Sequence, residues 1–361
     1  MKPTQQLHEL GQSLWVDNIT RTMLRDGTLD RYIDELSITG LTSNPTIFDK
    51  AISDSDAYDD SIARPASEGV GAEEIFFDLA LEDLRDAADL FAEVHRRTDG
   101  VDGWASLEVS PLLADDATAT IEQAALLSGR GGRPNLFIKI PGTVAGRQAI
   151  EESIYAGIPI NVTLLFSTDQ YLGAAEAYMR GLERRIEVGL DPSVASVASL
   201  FISRWDKAVS EAVPDDLRDR LGIAVAKRAY RAYRELLDSE RWQRLANEGA
   251  RPQRMLWAST GTKDPEASDV LYVEALAAPL TVNTMPEKTL LAFAEHGEVR
   301  EPLPADGGDA EEVLARFAEA GIDVDELAVR LQKEGAETFV QSWRELLESI
   351  ESESERLAGT R

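Results

Sequence analysis

The nine residues Asn135-Leu136-Phe137-Ile138-Lys139-Ile140-Pro141-Gly142-Thr143 place one lysine inside an apolar run. Successive side chains of a β-strand point to opposite faces, so Lys139 shares a face with Phe137 while aliphatic residues form the other face. Such a strand is typical of a sheet that is covered on both sides. A lysine desolvated by apolar walls becomes an amine nucleophile that attacks carbonyls, whereas the alternative is a lysine on an exposed strand face.

Working outward from this strand, the chain alternates short apolar strands with helical sequence in one continuous series. Eight such strands predict an α/β protein with a (β/α)₈ barrel, a TIM barrel, with additional helices. The alternative is an open doubly wound sheet, which usually carries a glycine-rich turn after its first strand, and none is found here. Besides the lysine strand, the predicted strands are 13–17, 40–44, 103–110, 158–166, about 196–203, 254–260 and 280–284.

The helices predicted outside the barrel strands define the domain organisation. We expect a lead-in helix over 5–12, a long amphipathic helix over 72–97, and a helix that starts at Asp264-Pro265-Glu266. The whole chain, 1–361, is predicted to form a single barrel domain. Its barrel core covers about 13–297, and 298–361 form a C-terminal helical extension that packs on the barrel.

Composition excludes several classes of function. The 361 residues carry a formal net charge of −28, which argues against nucleic acid and anionic membranes as partners. No apolar run reaches the length of a membrane span and no secretion signal is found, so a cytoplasmic location is predicted. The chain has no cysteine, and its three histidines lie far apart without metal-ligand spacing, so we expect no metal site.

Polar residues occur in the same phase on several predicted strands. If Lys139 points into the barrel, the alternation of side chains identifies which residues of the other strands also point inward. A barrel with only structural duties would be filled with branched aliphatic residues, so this agreement indicates a site at the strand ends. The residues in phase are Asp17, Thr42, Asn44, Ser106, Glu108, Asn161, Thr163, Ser199, Phe201 and Ser203.

Several of these residues also have a structural interpretation. Asn44 precedes Pro45 and could cap the next helix, as Asp17 could cap the helix that follows it. Arg204, after strand six, and Lys263, after strand seven, could be ordinary surface cations. A purely structural interpretation suits Glu108 less well, because burying a strand carboxylate without a partner costs free energy.

A lysine flanked by carboxylates in a closed barrel favours carbonyl chemistry. The amine attacks a ketone, loss of water gives an iminium, and this cation draws electrons from the adjacent carbon–carbon bond as it breaks. One carboxylate takes the hydroxyl proton during cleavage, and another group with a water forms and hydrolyses the imine. Asp17 and Glu108 suit these two tasks, while hydroxyl and amide side chains would hold a polyol chain: Thr42, Asn44, Asn161 and Ser199.

At seven places the chain resembles the transaldolase family, in the family's own order. The resemblance implies a class I aldolase barrel without metal or organic cofactor. Such an enzyme moves a dihydroxyacetone unit from sedoheptulose 7-phosphate to glyceraldehyde 3-phosphate, giving erythrose 4-phosphate and fructose 6-phosphate in the pentose phosphate pathway. The motifs are Trp15-Val16-Asp17, Gly40-Leu41-Thr42-Ser43-Asn44-Pro45, Ser106-Leu107-Glu108-Val109, Phe137-Ile138-Lys139-Ile140-Pro141, residues 160–167, residues 199–204 and Thr281-Val282-Asn283-Thr284-Met285-Pro286.

The resemblance also implies roles for individual residues. Lys139 would form the Schiff base, Asp17 would accept the proton in cleavage, and Glu108 with Thr163 would handle the catalytic water. Arg204 would bind phosphate. The family often has an arginine soon after the strand-seven serine, but here only Lys263 follows Ser259 and would substitute for it. The sugar would be contacted by Thr42, Asn44, Asn161 and Ser199.

Two rival functions remain open from the sequence. A fructose 6-phosphate aldolase of the same barrel would release free dihydroxyacetone, although Glu108 and Phe201 favour transfer by resemblance. A non-catalytic sugar-phosphate-binding barrel, or an acidic scaffold, predicts that Lys139→Ala leaves function intact. The sequence leaves the oligomeric state open between a monomer and a homodimer, and it suggests the longer branch of the family.

Overall fold

Eight parallel strands close into a barrel in a computed structural model that describes residues 1–17 and 19–359. The strands follow chain order around the barrel, and the last pairs with the first. The (β/α)₈ barrel predicted from the sequence is therefore confirmed, and the open doubly wound sheet is wrong. The strands are β1 (Gln12–Val16), β2 (Ile38–Thr42), β3 (Trp104–Glu108), β4 (Leu136–Pro141), β5 (Ile160–Leu165), β6 (Ser196–Phe201), β7 (Arg254–Ala258) and β8 (Thr281–Met285).

Helices surround the barrel, and the last one is by far the longest. Three short 3₁₀ turns lie among them, at Asp56–Tyr58, Pro111–Leu113 and Asp215–Leu217. The helices are α1 (Pro3–Glu9), α2 (Arg21–Arg25), α3 (Thr28–Leu36), α4 (Pro45–Ser53), α5 (Asp59–Ser67), α6 (Ala72–Leu90), α7 (Ala92–Arg97), α8 (Ala117–Gly131), α9 (Val144–Tyr155), α10 (Thr168–Glu187), α11 (Ser203–Val209), α12 (Leu221–Asp238), α13 (Glu240–Asn247), α14 (Leu271–Ala275), α15 (Glu287–His296), α16 (Ala310–Glu319) and α17 (Val324–Gly359).

The start of the barrel interior is closed by a buried ion pair and by aromatic rings. Arg254 donates to Ser13 and lies 3.0 Å from Asp102 at the beginning of the strands. Above this pair, the rings of Trp104 and Phe137 stack with their centroids 4.0 Å apart. In barrels of this kind the functional side chains lie at the other end, where the strands terminate.

Gly40 in β2 leaves room for these aromatic side chains. A Cβ at this position would lie 2.6 Å from the indole Nε1 of Trp15 and 2.7 Å from the carbonyl oxygen of Trp104. Both distances are shorter than van der Waals contact, so any larger residue would push the indole out of the barrel. Because Trp15 lies two residues before Asp17 on the same strand face, the packing around Gly40 also supports the carboxylate.

Three helices differ from the predictions. The lead-in helix spans Pro3–Glu9, so β1 begins where that helix was expected to end. The helix expected over 72–97 is two helices, separated at the buried residue Phe91. No α-helix starts at Asp264; its side chain accepts a hydrogen bond from the Glu266 amide in a local turn, and α14 begins at Leu271.

The C-terminal helix α17 packs along α4, α5 and α6 and reaches the end of β5. Its Trp343 fills the space between Phe76 and Phe77, with ring centroids 5.0 Å and 5.6 Å away. The division of the chain into a barrel core over about 13–297 and a C-terminal extension over 298–361 that packs on it stays a prediction. None of the described helices has the length and apolarity needed to cross a membrane.

Candidate active site at the ends of the barrel strands

Lys139 and Glu108 form a buried ion pair inside the barrel. They occupy paired positions on β4 and β3, and the ammonium Nζ of Lys139 lies 3.0 Å from the Glu108 carboxylate. The lysine is 6% exposed and the glutamate 7%, which excludes the exposed strand face. Lys139 also donates to the main-chain carbonyl of Ser43 at 3.1 Å. Burial raises the pKa of Glu108 above its ordinary value, and the charge of Lys139 offsets only part of this rise.

Asp17 follows β1, and its carboxyl group senses the charge of the same lysine. Thr42 donates to its carboxylate at 3.0 Å, and the Thr42 hydroxyl also lies 2.8 Å from that of Thr284 on β8. Burial raises the pKa of Asp17, while the charges of Lys139 and Lys263 and hydrogen bonds from Thr42 and Asn44 oppose the rise. Two carboxyl groups with raised pKa values therefore lie around one lysine, an arrangement suited to proton transfer.

Asn44 has the capping role considered for it, while its contact with the sugar stays a prediction. Its side-chain oxygen accepts a hydrogen bond from the Ile47 amide at 3.1 Å and so caps α4, whose first residue is Pro45. The polar side chain of Asn44 also helps to lower the pKa of Asp17. Asp17 itself does not cap the following helix, because the side chain of Thr20 takes that position at α2.

A row of polar side chains crosses the barrel beside Lys139. Asn161 on β5 pairs with Lys139 in the strand register and donates to the hydroxyl of Ser106 at 3.2 Å. The hydroxyl of Ser199 on β6 donates to the amide oxygen of Asn161 at 2.7 Å. All three are buried, so the hydrogen bonds hold their polar atoms in fixed orientations next to the lysine.

Thr163, also on β5, has a buried hydroxyl without a hydrogen-bond partner among the described residues. A buried hydroxyl left unpaired is costly, so such groups in a native protein call for a bound water or ligand. The strand is irregular at this place, since its register with β6 shifts between Val162 and Leu165. Thr163 is thereby a candidate to hold a water molecule.

Arg204 lies just beyond β6, and no carboxylate among the described residues pairs with its guanidinium. It makes no hydrogen bond or ion pair within residues 1–17 and 19–359, and its Cζ lies 5.1 Å from the ring centroid of Phe201. Burial lowers the pKa of this guanidinium below its ordinary value. A half-buried cation with free donors in a chain of net charge −28 is suited to bind an anion such as a phosphate group.

Ser259 and Lys263 follow β7 at the same end of the barrel. The hydroxyl of Ser259 lies 2.9 Å from that of Ser203, beside Arg204. Lys263 is exposed and lines a cavity of about 270 Å³ that also includes Ser203. The charge of Lys263 also lowers the pKa of Asp17.

Two contributors to the site were not predicted from the sequence. The Ser43 carbonyl cannot be recognised from residue type, because every residue has one. Thr284 lies in phase on β8, as its pairing with Trp15 on β1 shows, so a reading of that strand would have found it. The described residues contain no cluster of three or more histidine, aspartate or glutamate side chains that could hold a metal ion.

A sequence model of the transaldolase/fructose-6-phosphate aldolase family matches residues 14–350. The chain belongs to this family. The transaldolase of Thermobifida fusca is 44% identical, over 96% of this chain and 97% of that protein. Transaldolase 2 of Streptomyces coelicolor is 43% identical over 98% of both chains, and the transaldolase of Kocuria rhizophila is 45% identical over 96% and 97%. The resemblance noted in the motifs is thus confirmed, and the family match includes Lys139, Glu108 and Arg204.

Proposed function

We propose that this chain is a transaldolase that carries a dihydroxyacetone unit on Lys139 as a Schiff base. The observation that carries the proposal is a buried lysine with a carboxylate 3.0 Å away and a second carboxylate, Asp17, acting on the same charge. Membership of the family supports it. Sedoheptulose 7-phosphate is the proposed donor and glyceraldehyde 3-phosphate the proposed acceptor.

The first step joins the substrate to the enzyme. The Lys139 amine, after giving a proton to Glu108, attacks the C2 carbonyl of the donor and forms a carbon–nitrogen bond. Protonation of the resulting hydroxyl lets it leave as water, which produces the iminium. Thr163 would hold this water, because its hydroxyl is buried and unpaired among the described residues, and Glu108 has the raised pKa that suits an acid and base in turn.

Cleavage and transfer follow on the other side of the lysine. Asp17 takes the proton of the C4 hydroxyl, the C3–C4 bond breaks, and its electron pair moves into the iminium to give an enamine and a free aldehyde. The enamine carbon then attacks the acceptor aldehyde, and Asp17 returns the proton to the new hydroxyl. Water adds to the second iminium, the carbon–nitrogen bond breaks, and the ketose product leaves.

The polar row and the uncompensated arginine account for substrate recognition. Thr42, Asn44, Asn161 and Ser199 would hold the hydroxyls of the sugar. Arg204 would bind the phosphate, with Ser259 and the exposed Lys263 near it. Phe201 lies against Arg204 and would line the wall of the sugar site. The monomeric or homodimeric state, the cytoplasmic location and the lack of nucleic-acid and membrane partners stay predictions.

An acceptor-dependence assay tests the proposed function. The purified protein is incubated with fructose 6-phosphate, with or without erythrose 4-phosphate, and glyceraldehyde 3-phosphate is measured by a coupled oxidation. We expect product only when the acceptor is present, and none from Lys139→Ala. Release of product at the same rate without acceptor would instead indicate a fructose 6-phosphate aldolase, and full activity of Lys139→Ala would indicate that Lys139 is not the nucleophile.

A further inference from the structure

The C-terminal helix α17 reaches the end of the barrel through one glutamine. The side-chain Nε2 of Gln332 donates to the main-chain carbonyls of Leu164 at 2.9 Å and Gly142 at 3.3 Å. Leu164 follows Thr163 on β5, and Gly142 follows the end of β4, which carries Lys139. A single side chain thus ties together the ends of the two strands that present the proposed nucleophile and the proposed water-binding hydroxyl.

The contact falls on an irregular point of the barrel. Leu164 has a φ of 58°, in the left-handed region that residues with a Cβ rarely adopt. The β5–β6 register passes from Val162 opposite Ala198 to Leu165 opposite Leu200, which is a β-bulge. Bulges redirect side chains and are frequent beside active sites. Their unfavourable backbone conformations persist only where the surrounding structure holds them in place.

The backbone around Thr163 is held from two directions. Its own carbonyl accepts a hydrogen bond from the Gly142 amide at 2.7 Å. The carbonyl of the next residue, Leu164, accepts from Gln332, and the same glutamine amide holds the Gly142 carbonyl. The orientation of the Thr163 hydroxyl therefore depends on a loop that Gln332 closes.

Gly335, on the same face of α17, allows this close approach. A Cβ at Gly335 would lie 3.0 Å from a methyl carbon of Leu164 and 3.2 Å from a guanidinium nitrogen of Arg204. One turn further along, the ring centroid of Phe339 lies 5.9 Å from the Cζ of Arg204. Three helix positions that share one face thus all contact the end of the barrel, so the Gln332 contact is part of a specific interface.

We propose that Gln332 is a positioning residue for the chemistry on Lys139. By holding the Leu164 and Gly142 carbonyls it fixes the β5 bulge, and the bulge orients the Thr163 hydroxyl toward the water that is released as the imine forms and consumed as it is hydrolysed. This inference rests on the proposed transaldolase function. The C-terminal helix α17 would thus support the reaction through Gln332, a residue that does not contact the substrate.

Oxygen exchange isolates the step in question. Imine formation expels the C2 oxygen of the ketose as water and hydrolysis replaces it, so ¹⁸O-labelled fructose 6-phosphate loses its label at the rate of these two steps. We expect Gln332→Leu to slow both exchange and kcat between about 10-fold and 100-fold, with little change in KM, because a small misplacement of a reacting group has this effect. Gln341→Leu is the matched control, since Gln341 lies on the exposed face of α17 and donates to Glu345 of the same helix.

A second variant makes the test specific to hydrogen-bond donation. In Gln332→Glu the ionised carboxylate cannot donate to carbonyls, whereas the protonated acid can donate to one. Relative to wild type, its exchange rate should therefore recover as the pH falls. If Gln332→Leu and Gln332→Glu both exchange oxygen at the wild-type rate, even with a lower melting temperature, the inference is overturned while the proposed function stands. If the wild-type enzyme neither exchanges oxygen nor forms an adduct on Lys139, the proposed function fails and the inference with it.

Discussion

The ammonium of Lys139 lies 3.0 Å from the carboxylate of Glu108, with both side chains 7% exposed inside the barrel. A buried ion pair gains little stability, because desolvation of both charges offsets their attraction. Apolar residues of similar size would pack the barrel at least as well. The pair fits the proposed chemistry, in which a proton would pass between the two groups as the amine becomes a nucleophile.

Glu108→Gln tests the proton transfer. The amide keeps an acceptor for Lys139 but cannot take up a proton, so kcat should fall by about 100-fold to 10,000-fold, the usual contribution of a general acid or base. Burial raises the pKa of Glu108, so in wild type the acidic limb of kcat against pH should lie above the ordinary glutamate value of 4.5. Activity rises with pH through this limb, because the base must be ionised. If the Glu108→Gln variant keeps the acidic limb unchanged, the limb reports the titration of a group other than Glu108.

Asp17→Asn separates cleavage from imine formation. The substituted amide can still accept a hydrogen bond from Thr42, but it cannot take the proton of the substrate hydroxyl. We expect transfer to be lost while borohydride still traps a substrate adduct on the enzyme, as mass spectrometry of the intact protein would show. Wild-type transfer by this variant, or loss of the adduct, would contradict the assigned role.

Arg204→Gln tests phosphate recognition. A hydrogen bond to a charged group contributes about 1.5–3 kcal/mol, so kcat/KM for fructose 6-phosphate should fall between about 10-fold and 150-fold. Activity with an unphosphorylated donor, such as fructose, should be nearly unchanged. Lys263→Gln is the matched comparison, and its effect should be smaller because Lys263 is exposed. Equal losses with both donors would show that Arg204 does not act on the phosphate.

Asp206 on α11 offers a test of stability rather than of activity. Its buried carboxylate accepts hydrogen bonds from the Leu221 and Gly222 amides and from the Tyr272 hydroxyl, yet burial raises its pKa from 3.8 to about 6. The folded state therefore binds this proton more tightly than the unfolded state, and the stability it contributes is lost as the pH rises from about 4 to about 6.

Asp206→Asn should remove this pH dependence, because the amide stays neutral. Urea unfolding gives the free energy of unfolding of both proteins at pH 4 and at pH 7. From pH 4 to pH 7, the free energy of unfolding of the variant minus that of wild type should increase by up to about 3 kcal/mol. A difference between the two proteins that is the same at both pH values would show that the pKa of this carboxyl is not raised.

The predicted site residues and the structure agree because two regular geometries act together. Side chains alternate along a strand, and a closed barrel brings all strands of the same phase to one interior, so the phase of Lys139 locates Asp17, Glu108 and Asn161. The same reasoning fails where the backbone is irregular. The left-handed backbone conformation of Leu164 breaks the alternation of side chains along β5, and the residue types around it did not predict this.

The contribution of α17 could not be predicted from local patterns. Gln332 contacts a strand that lies 168 positions earlier in the chain, and its partners are backbone carbonyls. Gly335 was the available signal, because a glycine within a long helix costs stability and often marks a close contact. The helix expected at Asp264 failed for a local reason, since the aspartate side chain bonds the nearby Glu266 amide in a turn.

Borohydride trapping on Lys139 tests the central claim most directly. The protein is incubated with fructose 6-phosphate, reduced with sodium borohydride, digested and mapped by mass spectrometry, with Lys139→Met as the control. We predict one added dihydroxyacetone-derived or hexose-derived group on the peptide that contains Lys139, and none in the control. An unmodified Lys139 peptide, or an adduct on another lysine, would contradict the Schiff-base mechanism.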